Sequence, residues 1–235
     1  MLRFRNKQDF GVNVLSLLRN RNKNDMNKTV ELVNEWASFE EKHPNANLDD
    51  FCRHYLANHQ QEKFKGPLTG GVIPPISEGL LLKIIGRIHK LNMSYAAGAL
   101  QGTGLNQVEE FGILLSIQQD GEPRKTDVIY ANLFELSSGT DMLNRLIKRG
   151  LISEHDDEND KRSKRIRLTK AGGEAIELCM ARMKKVAGMM TMDLDEDDKQ
   201  LCIHLLKNIE IKFSAFWQQH KGKPFDEVYR EIAGK

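Results

Sequence analysis

Residues 136–172 read LSSGTDMLNRLIKRGLISEHDDENDKRSKRIRLTKAG, from Leu136 to Gly172. Met142, Leu143, Leu146 and Ile147 recur at helical spacing and face inward, leaving Ser137, Ser138, Thr140, Asp141, Asn144, Arg145 and Lys148 on the polar side. Gly150 ends that helix and Leu151-Ile152 begin a strand. The loop HDDENDKR, His155 to Arg162, is too polar to pack. The return strand alternates, with Ile166 and Leu168 on one side and Arg165 and Arg167 on the other. Thr169 then starts another helix.

Upstream, Ser77 is read as the N-cap of a helix running to about Leu100, with Leu81, Ile84, Ile85, Ile88, Leu91 and Tyr95 in one stripe. Gln101-Gly102-Thr103-Gly104 stops it. Asn106 is read as the cap of a second helix carrying Val108, Phe111, Leu114, Leu115 and Ile117, which Asp120-Gly121 and Pro123 end. Thr126 is read as the cap of a short third helix with Val128, Ile129, Leu133 and Phe134, and the Ser137/Ser138 pair restarts the chain as the helix quoted above. Short helix, tight turn, helix is the helix-turn-helix arrangement, whose second helix can enter a major groove. A two-stranded hairpin directly after it is a wing. The predicted fold class is mainly α with a small β-hairpin wing, a winged helix-turn-helix with long helices on either side.

Downstream, Thr169 caps a helix to roughly Met190, with Ile176, Met180, Met183 and Val186 on one face. A final long helix starts near Asp195 and carries Leu201, Leu205, Ile209, Phe213, Phe216 and Trp217. That stripe is longer than a small domain requires and suits a dimer seam. At the other end, a short helix over 12–18 is followed by a basic, loop-like run, then by two helices. The first has Leu32, Val33, Trp36 and Phe39 and ends at His43-Pro44; the second is capped by Asn47 and carries Leu48, Phe51, Cys52, Tyr55 and Leu56. GPLTGGVIPP, Gly66 to Pro75, reads as a boundary. Residues 1–70 are thus an amino-terminal helical extension, either a packing appendage or a dimer or effector element.

Composition narrows the function classes. The 235 residues can bury a real core, 40% are hydrophobic and 29% charged, and the net charge is only +2, so any basic face must be local. The three cysteines, Cys52, Cys179 and Cys202, form no CxxC pair, which argues against a disulfide framework or zinc knuckle. They sit among apolar neighbours and read as small core residues, with Cys52 the candidate for a thiol switch. The start, MLRFRNKQDFG, has no sustained apolar run, and no window approaches the roughly 20 apolar residues of a membrane helix. The expectation is a cytoplasmic protein without membrane association. Asp193, Asp195 and Asp197 imitate a calcium loop, but Asp198 stands where glycine is needed and His204 where glutamate is, so they read as acids at a helix start. The histidines include no HExxH, Gly102-Thr103-Gly104 lacks the pattern of a phosphate loop, and no nucleophile–base pairing is evident. Neither an enzyme, a metal site nor a cofactor is expected.

The motifs around the wing are specific. RLIKRGLI, Arg145 to Ile152, followed by DENDKRSKRIRLTKAG, Asp157 to Gly172, resembles the MarR family of winged-helix transcriptional regulators, with its LxxRGLI/V helix end, DPxDRR-type loop, basic strand and LTxxG helix start. The resemblance runs from Ser77 to about Gln219. It implies a MarR-like domain over 77–219, with dimerisation helices at 77–103 and 170–219 around a winged helix at 104–169, and a carboxy-terminal tail at 220–235. It implies a homodimer on double-stranded, pseudo-palindromic operator DNA, acting as a repressor and answering a small-molecule effector of unknown identity. Two departures stand out: Glu158 replaces the usual proline, which predicts a looser turn, and residues 1–70 are extra.

The chemistry of the head suits DNA. Ser138 and Thr140 can donate to phosphates beside the free N–H groups of the helix start, and Ser137 is a further candidate on the polar side. Asn144 and Arg145 suit bidentate base contacts, Lys148 extends the polar face, and Gly139 would permit close approach to the groove. Asp141 would be repelled by phosphate and could instead orient an arginine. Lys161, Arg162, Lys164, Arg165 and Arg167 concentrate charge on the wing, where arginine can enter a minor groove. By resemblance Asp160 shapes the wing tip and Arg162 reaches the DNA. Arg124 and Lys125 are expected phosphate clamps. The competing reading is a winged-helix protein-interaction module without DNA binding.

Overall fold

A computed structural model of the chain describes residues 27–59, 68, 71–160 and 162–234. It divides into two compact units between residues 71 and 72. The helix expected over 12–18 and four residues of the Gly/Pro-rich connection lie outside the described residues.

The first unit is a helical hairpin. Helix α1 (Lys28–Lys42) is capped by Asn27, whose side chain accepts from the Thr29 N–H. Helix α2 (Leu48–His59) opens on a reciprocal capping box: Asn47 Oδ1 accepts from Asp50 N and Asp50 Oδ2 from Asn47 N, both at 3.0 Å. Its core is aromatic: Phe39 and Phe51 are buried, and Trp36 meets Phe51 edge-on at 5.1 Å.

The second unit holds everything that concerns the quoted stretch. Helix α3 (Ser77–Ala99) is followed by α4 (Val108–Asp120), α5 (Lys125–Ala131), α6 (Leu136–Lys148), strands β1 (Ile152–Asp156) and β2 (Lys164–Leu168), and helices α7 (Lys170–Met190), α8 (Glu196–His220) and α9 (Phe225–Ala233). The strands are antiparallel, with Glu154 opposite Ile166. A bridge from Arg124 to Arg165 joins the start of α5 to the hairpin. Ile113, Leu114 and Ile117 of α4, Ile129 of α5, Leu143 and Leu146 of α6 and Ile166 of β2 are fully buried in one core. Each such side chain contributes about 1.5–3 kcal/mol relative to exposure.

Several helix starts differ from expectation. Ser77 is the first residue of α3, not its cap: Ile76 precedes it and offers no side-chain hydrogen bond. Asn106 does not cap α4; its own N–H donates to Glu110 Oε2 at 2.8 Å, so the acid three residues beyond the N-cap Gln107 closes the turn. Thr126 lies inside the first turn of α5, after Arg124. Thr169 and Asp195 do cap α7 and α8, accepting from Gly172 N and Asp198 N. Met180 is exposed, and Cys179 takes the inward place beside Ile176. Of the cysteines only Cys179 is a core residue; Cys52 and Cys202 are exposed.

Two glycines of the quoted stretch, Gly139 and Gly172, pack closely. Gly139 does not face the groove: it is buried against α5, and a Cβ there would meet Ile129 Cγ2 at 2.6 Å. Gly172 presses the start of α7 onto the turn between α6 and β1, where a Cβ would stand 2.1 Å from the Leu151 carbonyl oxygen. The α5–α6 turn passes through Leu133 at φ +58°, a left-handed conformation that leucine rarely adopts. No described helix is long and apolar enough to cross a membrane.

Candidate nucleic-acid interface

Helix α6 turns Met142, Leu143 and Leu146 into the core and leaves Ser137, Ser138, Asp141, Asn144, Arg145 and Lys148 exposed, with Thr140 half-buried. Its N-cap, Glu135, offers no side-chain hydrogen bond, so the first N–H groups are uncapped from that side. Ser138 Oγ donates to the Glu135 carbonyl at 3.1 Å. The side chains of Arg145, Lys148 and Asp141 have no partner among the described residues, so Asp141 orients no arginine there.

The wing is built around an acid. Asp157 was expected in a loop too polar to pack, yet it is only 1% exposed. Its Oδ2 accepts from Arg124 Nε at 3.1 Å and from Arg165 Nε at 2.8 Å, and its Oδ1 accepts from the Asn159 N–H at 2.9 Å. Burial is compensated because one carboxylate is matched by two guanidiniums and a backbone donor. The Asn159 N–H first, then the two arginines, hold the Asp157 carboxyl down at about 2. Arg165 Nη1 also donates to the Glu122 carbonyl at 2.6 Å. Arg124 and Arg165 therefore clamp the wing to the start of α5.

At the tip, Asp160 accepts from the Arg162 N–H at 3.0 Å and from Ser163 Oγ at 2.8 Å. The Ser163 hydroxyl, followed by the Arg162 N–H, lowers the Asp160 carboxyl below its usual range. On either side of Glu158 the loop is held by Asp157, through the Asn159 N–H, and by Asp160, through the Arg162 N–H and Ser163 Oγ. The Arg162 side chain is exposed and without a partner among the described residues. Lys161 lies outside the described residues. Lys164 pairs with Asp156, and Arg167 with Ser153 Oγ at 3.3 Å and Glu122 at 3.7 Å. Lys125 is held by Glu154 Oε2 at 2.6 Å and approaches Asn144 Oδ1 at 3.5 Å.

Three further ties were not read from the sequence. Glu110, 1% exposed, meets Arg149 Nη2 at 2.6 Å, a head-on ion pair rather than an aligned hydrogen bond. Arg149 Nη1 donates to the Gly104 carbonyl at 2.9 Å, so the end of α6 is fastened to the turn after α3. Arg182 of α7 donates to the Ala99 carbonyl at 3.1 Å and to that of Gln101. Thirdly, Lys221 at the end of α8 pairs with Glu135 at 2.8 Å and lies 5.3 Å from the Tyr130 ring centroid.

Residues 106–172 match a family described as a winged helix DNA-binding domain. The shape of the unit matches solved regulators of one kind. A mutant MarR from E. coli complexed with operator DNA superposes with a TM-score of 0.52 at 22% identity, covering 55% of this chain and 92% of that one. The second unit shares the winged-helix fold of these structures. AbsC, a MarR family transcriptional regulator from Streptomyces coelicolor, matches this MarR-type unit at TM-score 0.54 and 19% identity, over 59% of this chain and 95% of AbsC. BpsR of Bordetella bronchiseptica, whose DNA binding is regulated by 6-hydroxynicotinic acid, matches at 0.51 and 17%, over 55% and 98%. No curated protein matches in sequence.

In this MarR-type head the Asp157 clamp has an acid limit. Its folded pKa, about 2, lies below the ordinary 3.8, so the stability it confers is complete above about pH 4 and is lost as pH falls toward 2. Asp157→Asn is expected to be less stable than the parent at pH 7, with the gap closing between pH 4 and 2; urea unfolding along that series checks it. Parallel curves would remove Asp157 from the account.

Proposed function

We propose that this protein is a homodimeric, sequence-specific DNA-binding transcriptional regulator, a ligand-responsive repressor acting on a pseudo-palindromic operator. The division among the basic side chains of the head carries the reading. Lys125, Lys164 and Arg165 are neutralised from within, and Arg124 spends its Nε on Asp157. Arg145, Lys148 and Arg162 have no such partner among the described residues and line the outer side of α6 and the wing tip. Phosphates and base edges are the partners such cations take, with the uncapped N–H groups of α6 and the Ser137, Ser138 and Thr140 hydroxyls beside them. Asn144 and Arg145, exposed on the same helix, are the residue types suited to base edges. Arg124 and Lys125 act chiefly as positioning residues.

A second copy supplies the missing half. Leu205, Ile209, Phe213 and Trp217 repeat every fourth residue along α8 and are 38–50% exposed, on a helix with no buried residue. An apolar stripe of that length is stable in water when another helix covers it. Pairing through α8 and the likewise exposed Leu81, Ile88, Leu91 and Tyr95 of α3 sets two reading helices about 34 Å apart, one turn of DNA. MarR in complex with operator DNA and the ligand-regulated BpsR are the precedents for operator and effector.

A gel shift on DNA from the protein's own upstream region, repeated across salt concentrations, tests the proposal. Expected is a competitor-resistant complex whose affinity falls about 10³–10⁵-fold between about 50 and 200 mM salt if six or more phosphates are met. Arg162→Ala is expected to weaken binding across all sequences and to lower the salt slope by about 1. Absence of any salt-sensitive complex would mark the head as a protein-docking surface instead.

A further inference from the structure

Asn144 projects from the exposed side of α6, about two turns into the helix. Its amide has one favourable orientation. Lys125 Nζ stands 3.5 Å from Oδ1, and turning the amide over would set its N–H donors against an ammonium. That ammonium is itself fixed, 2.6 Å from Glu154 Oε2 on β1, and the Lys125 and Glu154 side chains are only 19% and 29% exposed. The Asn144 Nδ2 group has no acceptor among the described residues. What Asn144 presents away from Lys125 is therefore a pair of donors, with its carbonyl oxygen turned toward the ammonium.

We infer that Asn144 is a specificity-determining residue that selects a keto base edge, guanine or thymine, and that Lys125 and Glu154 are the positioning residues that set this preference. The inference rests on the DNA-binding reading above. In the major groove guanine offers the acceptors N7 and O6 and thymine offers O4, which a donor pair can meet. Cytosine N4 is a donor and opposes it, and adenine offers the single acceptor N7 beside the opposing N6 donor. The bidentate pairing of asparagine with adenine needs Oδ1 to accept from N6 while Nδ2 donates to N7. Here Oδ1 is turned toward Lys125, so the usual adenine preference of asparagine is inverted by a neighbour that touches no base.

Selection of bound duplexes from a randomised DNA pool, with the full chain and its variants, tests this. The unsubstituted protein is expected to enrich guanine or thymine about tenfold over adenine at one position of each half-site, the discrimination of one good base contact. Asn144→Ala is expected to lose the preference at that position alone. Lys125→Met frees the amide and is expected to shift the position to adenine, whereas Lys125→Arg, which keeps a cationic donor, retains the keto preference. Thermal melts establish that each variant is folded before selection. Adenine at the Asn144-dependent position in the parent, or an unchanged preference in folded Lys125→Met, overturns the inference while leaving DNA binding intact. No enrichment by the parent itself overturns the DNA-binding reading and this assignment together.

Discussion

Replacing Arg149 with methionine is expected to destabilise the second unit by about 3–5 kcal/mol, the cost of leaving a buried charge without its partner. Glu110 is 1% exposed and faces Arg149 at 2.6 Å. Its second oxygen accepts from Asn106 N at 2.8 Å, so the carboxylate cannot simply be withdrawn into solvent. Arg149 also holds the Gly104 carbonyl at 2.9 Å, and its loss loosens the turn that follows α3. For a unit of this size the melting temperature should fall by roughly 10 °C or more. The double variant Glu110→Gln/Arg149→Met removes the charge while keeping an acceptor for Asn106, and is expected to recover most of the loss. A double variant as unstable as Arg149→Met alone would sink the ion-pair explanation. Urea unfolding of the three proteins measures the coupling directly.

The neighbouring glycines Gly172 and Gly173 should respond in opposite directions. Gly172→Ala places a methyl where only 2.1 Å separates Cβ from the Leu151 carbonyl oxygen, which itself accepts from the Thr169 N–H at 3.1 Å. The backbone on both sides must part, and the Thr169 cap on Gly172 N must open with it. The expected cost is about 3 kcal/mol, the upper end of overpacking penalties. Gly173 meets nothing within 4 Å, so Gly173→Ala gains helix propensity and is expected to stabilise by about 0.5–1 kcal/mol. Equal shifts in the two unfolding midpoints would show that propensity, and not the contact with Leu151, governs this helix start.

These two predictions mark where the sequence was legible and where it was not. Periodicity located α3 to α8 because each carries an unbroken apolar face, and alternation located β2 because Ile166 and Leu168 alternate with arginines. Caps were misread at Ser77, Asn106 and Thr126, since a polar residue before an apolar run fixes a helix start only to within a residue or so. Gly139 was read as facing the groove, although its spacing to Met142, Leu143 and Leu146 places it on the buried face. The basic residues of the wing were legible as a set but not as two classes. Nothing local says that Arg124 and Arg165 converge on Asp157, because that contact joins residues 33 positions apart. Glu110 and Arg149 were missed for the same reason, although an acid three places after the N-cap was a capping signal in plain view.

The tie between Lys221 and Glu135 gives α8 a mechanical character. A helix of 25 residues is a rod about 37 Å long. Pivoted at its Glu196 end, a tilt of about 5° carries the other end sideways by about 3 Å on that length. That displacement is comparable with the 2.8 Å of the Lys221–Glu135 pair itself. The first turn of α6 is thus tied to the tip of a rod whose shaft carries the exposed apolar stripe, and a tilt of that shaft would move, multiplied by its length, the residue that opens α6.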